Sequence, residues 1–116
     1  MFDSTHIRAE ADQGVLVVVL KCEKLSEYES TVVQNEVQAL APGMQWKVAF
    51  DASSVQIISS VGLGMLIAVN RLAKSNKGRL ALFGLSDNLR GLFKISMLDK
   101  ALSLQADRAA AIRACG

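Results

Sequence analysis

The stretch Phe50-Asp51-Ala52-Ser53-Ser54-Val55-Gln56-Ile57-Ile58-Ser59-Ser60-Val61-Gly62-Leu63-Gly64-Met65-Leu66 changes its hydrophobic period midway. Trp46-Lys47-Val48-Ala49-Phe50-Asp51 reads as a strand that ends on an acid, and a short apolar connector follows. Two serines and a Gly-x-Gly then open a helix whose Leu63, Leu66, Ile67, Val69, Leu72 and Ala73 fall mostly on one side. A helix N-terminus carries unsatisfied N–H groups and the positive end of the dipole, so it favours anionic groups. A serine hydroxyl there is placed to cap the helix, or to carry a phosphate if a kinase can reach it.

On either side of this stretch, strands and helices alternate. Thr5 to Ala11 is a candidate first strand, Gln13-Gly14 a turn, and Val15 to Leu20 an unbroken aliphatic run. Such a run has no polar face, as expected of an internal strand covered on both sides. Ser26-Glu27-Tyr28-Glu29 opens a helix in capping-box fashion, with Tyr28, Val32, Val33, Val37 and Leu40 as its apolar face and Pro42-Gly43 as its stop. Arg71, Lys74 and Lys77 gather toward the end of the helix that begins at Ser60, and Gly78 ends it. Arg79 to Gly84 is a further strand. Ser86 or Asp87 caps a short helix carrying Leu89, Leu92, Phe93 and Ile95. A weak strand around Leu102-Ser103-Leu104 and a last helix over Ala109 to Ala114 complete the chain. Trp46, Phe50, Phe83 and Phe93 are expected in the core. The alternation predicts an α/β fold: a mixed sheet of four to five strands, begun by an antiparallel hairpin, with three to four helices packed on it.

The 116 residues suit one domain, 1–116, and with 51% hydrophobic and 21% charged residues the chain is globular rather than disordered. Net charge is +2 and the cations are dispersed along the sequence, so no nucleic-acid stripe is expected. Cys22 and Cys115 imply no disulfide framework. The N-terminal residues show no leader pattern, and the apolar runs are too short to insert in a membrane; a cytoplasmic protein is the expectation.

Much chemistry is missing. His6 is the only histidine, and there is no CxxC, HExxH or Asp-rich calcium loop, so no catalytic residue, metal site or cofactor is expected. Asp51 stands where acids often serve chemistry, but the plainer reading is a carboxylate satisfied by nearby backbone N–H groups. Gly62-x-Gly64 lacks the third glycine of a dinucleotide fingerprint, since Ile67 occupies that place, and Met65-Leu66 stand where a Walker loop needs Lys and Ser or Thr. What remains for the two glycines is steric. They permit close approach of a partner's backbone, or tight packing on the protein's own sheet.

The segment Asp51 to Gly64 resembles the signature of the STAS domain, a family of anti-sigma factor antagonists and of cytoplasmic domains of sulphate transporters. The family form is a strand ending in Asp, a few residues, then Asp-Ser-Ser/Thr-Gly-Leu-Gly. Val15 to Leu20, the helix from Ser26, Lys77-Gly78-Arg79-Leu80, and Leu92 to Lys100 also fall where that family has like segments. The last is similar to a Leu-x-x-x-Gly-Leu-Asp helix end, with Met97 at the glycine place. The resemblance implies a binding module, not an enzyme. In antagonists of this family the serine at the helix start is phosphorylated by a partner kinase, itself the anti-sigma factor; here the matching residue is Ser60. It further implies a partner surface of Ser26, Ser59, Ser60, Val61, Gly62, Leu63 and Gly64, facing an anti-sigma factor serine kinase or a related regulatory protein, and it leaves a homodimer open.

Three departures accompany it. Ser59 stands at the usual Asp, Val61 at the usual Ser or Thr, and Ser26 at an acid that often follows the second strand. Removing two carboxylates removes charged hydrogen bonds of about 1.5–3 kcal/mol each. Three functions follow: an antagonist switched at Ser60; a non-phosphorylated adaptor subunit of a transport or signalling complex; or a small-molecule or nucleotide binder that uses the helix N-terminus as an anion cradle.

Overall fold

The computed structural model describes residues 2–116. In chain order the elements are β1 (Phe2–Asp3), β2 (Ile7–Asp12), β3 (Val15–Leu20), β4 (Lys24–Leu25), α1 (Glu27–Leu40), a 3-10 turn (Ala41–Met44), β5 (Lys47–Asp51), β6 (Ile57–Ile58), α2 (Ser60–Ser75), β7 (Arg79–Phe83), α3 (Asp87–Ile95), α4 (Leu98–Ala101), β8 (Ser103–Gln105) and α5 (Arg108–Cys115). The main sheet runs β1-β2-β3-β5-β7-β8. β1, β2 and β3 pair antiparallel and the remaining neighbours parallel.

This is the expected mixed α/β architecture with β3 internal, but with more elements: among the described residues there are six strands in the main sheet, a separate two-stranded sheet, and five α-helices. The additions are short. β1, β4 and β6 have two residues each and α4 has four, too few for a period to show in sequence.

The β2–β3 turn is made by Gln13 and Gly14, both at positive φ, the twist that suits a two-residue hairpin. The residues of β3 then divide between two cores. Leu16, Val18 and Leu20 face a large core with Val48, Phe50, Leu82, Leu66, Val69 and Phe93. Val15 and Val17 join Ala49, Ala81 and Phe83 against Ala111, Ile112 and Cys115 of α5. Burial on both faces explains a strand with no polar side. The Arg108 guanidinium fastens α5 to the antiparallel edge through Glu10 (3.2 Å) and Asp12 (3.3 Å) of β2.

Trp46, Phe50, Phe83 and Phe93 are buried as expected. Two residues assigned to apolar helix faces instead point outward. Tyr28 is 68% exposed and Ile95 85% exposed. Each lies at a helix end. Two residues on α2 were not marked as inward by the pattern: Met65 and Asn70 are both buried. The α2 terminus also differs from expectation. Lys77, not Gly78, takes the left-handed conformation, at φ 64°. Gly78 is required for another reason: a Cβ there would lie 2.0 Å from the Trp46 carbonyl oxygen.

Candidate functional site

The site is the end of the molecule where α1 and α2 begin. β4 and β6 pair in parallel, Lys24 with Ile57 and Leu25 with Ile58, so the next residues, Ser26 and Ser59, start the two helices side by side. Backbone bonds lock this pair: the Leu25 carbonyl accepts from the Ser59 N–H at 3.1 Å, and the Glu23 carbonyl from those of Gln56 and Ile57.

The two serines of α2 have different surroundings. Ser59 is the N-cap: its Oγ accepts from the Gly62 N–H at 3.1 Å and donates to the Leu25 carbonyl at 3.3 Å. It therefore both satisfies a free helix donor and ties α2 to β4. Ser60 is the first helical residue, is exposed, and its hydroxyl has no hydrogen-bond partner among the described residues. Val61 is 46% exposed beside it. Leu63 is half-buried against the large core.

The glycines also separate. Gly62 is buried, and a Cβ on it would meet the Leu25 carbonyl oxygen at 2.3 Å and the Ile58 Cγ2 at 2.9 Å. Packing on the protein's own β4–β6 sheet accounts for it. Gly64 is exposed, with nothing within 4 Å of where its Cβ would be. No internal contact demands glycine there.

Ser26 caps α1, and the Glu29 carboxylate reaches back to accept from both its N–H (3.2 Å) and its hydroxyl. The Ser26 hydroxyl bond is the main cause that holds the Glu29 carboxyl below its ordinary range. So a carboxylate is present at the start of α1 after all, supplied from one turn later than the resemblance would place it. The signal was the Ser-x-x-Glu spacing, read for its cap and not for its charge.

Asp51 ends β5 by accepting from the Ser53 N–H at 3.0 Å and from the Ser53 hydroxyl, which is the satisfied-carboxylate arrangement. Gly84 at φ 78° passes so close that a Cβ would sit 3.1 Å from Asp51 Oδ1. Around the serines the surface is apolar as well as polar. Tyr28 in the first turn of α1, Ile57 of β6 and Val61 in the first turn of α2 are all large and exposed. His6 meets the Tyr28 ring edge-on, with centroids 5.6 Å apart. Tyr28 and Ile57 escaped sequence reading because each sits in an apolar pattern that ordinarily marks the inside.

Among the described residues there is no cluster of three or more His, Cys, Asp and Glu side chains arranged to hold a metal ion, and no helix long and apolar enough to cross a membrane.

The family described as "Mlab, STAS domain" matches residues 7–106. Among solved structures, an anti-sigma-factor antagonist (STAS) domain protein from Planctomyces limnophilus is similar at 20% identity, covering 97% of this chain and 98% of that one, with a TM-score of 0.82. An anti-sigma factor antagonist from Mycobacterium paratuberculosis is similar at 20% identity over 94% and 92% of the two chains, with a TM-score of 0.80. The Bacillus cell fate determinant SpoIIAA in its phosphorylated form is similar at 17% identity over 93% and 98%, with a TM-score of 0.66. At these identities the likeness is one of fold. No curated protein sequence matches. With the family match spanning both the β3 run and the α2 start, the chain belongs to the STAS domain family.

Proposed function

We propose that this domain is a regulatory binding module of the anti-sigma factor antagonist kind, docking through the adjoining starts of α1 and α2 and switched by phosphate on Ser60. Its partner is an anti-sigma factor serine kinase or a related regulatory protein. The observation that carries the reading is the division of labour between the serines. Ser59 spends its hydroxyl on the cap and on Leu25, while Ser60 presents an uncommitted hydroxyl to solvent. A phosphate of about −1.5 to −2 charges on Ser60 would meet the positive end of α2 without dismantling the cap. It would also place bulk and charge beside Val61 and over the open surface at Gly64, so its effect falls on docking. Glu29 gives a kinase one carboxylate near the acceptor, although Ser26 and Ser59 are not acids. The reading carries no turnover: the lone histidine is occupied with Tyr28 and Asp51 with Ser53.

One observation favours the second reading, a non-phosphorylated adaptor subunit. Tyr28, Ile57 and Val61 supply exposed apolar area beside the serines, enough chemistry for docking that needs no switch.

The test is incubation with the cognate kinase and ATP, mapping of the phosphate, and partner affinity by titration calorimetry. Ser60 should be the acceptor, Ser59→Ala should remain a substrate, and Ser60→Asp should weaken partner binding at least tenfold, about 1.4 kcal/mol. Phosphate on Ser59 instead would overturn the assignment. Undiminished binding by Ser60→Asp would leave the adaptor.

A further inference from the structure

At the far end of α2, roughly 20 Å from Ser60 by helix rise, lies a cavity of about 640 Å³ between the C-terminal turn of α2, the start of β7 and the α4–β8 connection. Its lining includes Lys74, Lys77, Arg79 and Lys100, and no Asp or Glu. In sequence these cations are spread over 27 positions; the fold gathers them around one hollow. We infer that this cleft binds a small ligand carrying two or more negative charges, of the phosphate or polyphosphate class, independently of the Ser60 surface.

Four observations support a site over a solvated charged edge. First, residues 52–86 contain Arg71, Lys74, Lys77 and Arg79 but not one carboxylate, so the walls supplied by α2 and β7 have no internal counter-ion. Second, the ion pairs among the described residues use Lys21 and Arg108, and none of the four cleft cations takes part. Asp99, the sequence neighbour of Lys100, lines a different hollow with Asp87, Arg90 and Lys94. Third, the wall is held in place. Asn70 is buried and its Nδ2 donates to the Ala101 carbonyl at 3.1 Å, which fixes the segment carrying Lys100 against α2. Fourth, the backbone turn that leads into Arg79 is tightly set. Lys77 is in the left-handed region, where a lysine costs more than glycine, and Gly78 is jammed against Trp46. The dipole of α2 accounts for a cation in its last turn, Lys74. It does not account for Lys77, Arg79 and Lys100, which lie beyond that turn.

Size and charge choose the ligand class. The hollow is open and its four cations are solvent-exposed, so it can seat but not enclose a small ligand. Cations without a carboxylate partner match one or two phosphate groups. The shared chemistry is a phosphate group with two or more negative charges, and the source is decided by experiment. The full chain is titrated at low and at 0.15 M ionic strength with inorganic pyrophosphate, ADP, or a soluble short-chain phosphatidic acid kept below micelle formation, and binding is read by calorimetry and thermal shift. Saturable one-to-one binding is expected, weakened at least tenfold by Arg79→Gln and by Lys100→Gln and unchanged by Lys24→Gln or Ser60→Asp. Circular-dichroism melts of the unliganded variants, expected to match the parent, separate lost binding from lost folding. At least tenfold tighter binding of ADP than of pyrophosphate would support the site and assign a nucleotide; equal binding would support a free polyphosphate; preference for phosphatidic acid would support it with a lipid headgroup as the source. No saturable binding of any soluble probe, or equal loss in Lys24→Gln, would overturn the inference.

Discussion

At its N-terminal end α2 abuts the Leu25 carbonyl through Gly62, and at its C-terminal end the chain passes the Trp46 carbonyl through Gly78. Both ends are thus anchored by a glycine against a backbone oxygen, where any side chain would collide. Beyond the anchors they diverge. The N-terminal end finishes in hydroxyls, an exposed apolar rim and the positive pole of the helix; the C-terminal end finishes in lysines and an arginine around a hollow. Packing fixes where each end sits and leaves its surface chemistry free to differ. One helix therefore presents two unlike surfaces, which we propose serve a protein partner and an anion respectively.

The sharpest way to break the comparison is to fill the anchors. Gly62→Ala and Gly78→Ala should each destabilise by about 1–3 kcal/mol or more by urea unfolding, because the clash is with backbone that cannot rotate away. Gly64→Ala, at an open helical position, should instead be neutral or stabilise by up to about 1 kcal/mol. Equal losses at all three would dissolve the distinction between anchor and open surface.

A smaller effect separates the serines. Ser59→Ala removes the cap and the bond to Leu25 and should cost about 1 kcal/mol, whereas Ser60→Ala should fall within about 0.5 kcal/mol of the parent. Ser60→Asp should leave the melting temperature nearly unchanged or raise it slightly, since an acid in the first turn contributes about 0.3–1 kcal/mol.

Last and smallest are two left-handed residues. Lys77→Gly and Met97→Gly should each stabilise by about 0.5–1 kcal/mol in the same unfolding assay, because glycine takes positive φ without a Cβ penalty. Lys77→Gly should do so while weakening pyrophosphate binding. That opposed pair of outcomes is what a strained residue kept for its charge would give.

Much of this molecule was legible in its sequence because it rests on local rules. The β3 run had no polar face and proved to be covered on both sides. Ser26-x-x-Glu29 and Ser86 marked helix starts through hydrogen bonds between residues three apart. The glycine place at Met97 is a left-handed turn, as a position that ordinarily takes glycine should be. The same locality explains the misses. β4 and β6 are two residues each, and only their pairing with one another makes them strands.

Sequence by itself determined the α/β class, the internal strand, the helix starts and the presence of two serines at one of them, since each follows from period and capping within a few residues. Tertiary structure alone decided which serine is tied inward and which meets solvent, because the Leu25 carbonyl that accepts from Ser59 arrives from 34 residues away. It also decided that Gly62 is an anchor and Gly64 is not, that Tyr28 turns outward, and that four scattered cations surround one cavity. Those outcomes depend on what lies across a contact, and a chain read in order does not contain its neighbours in space.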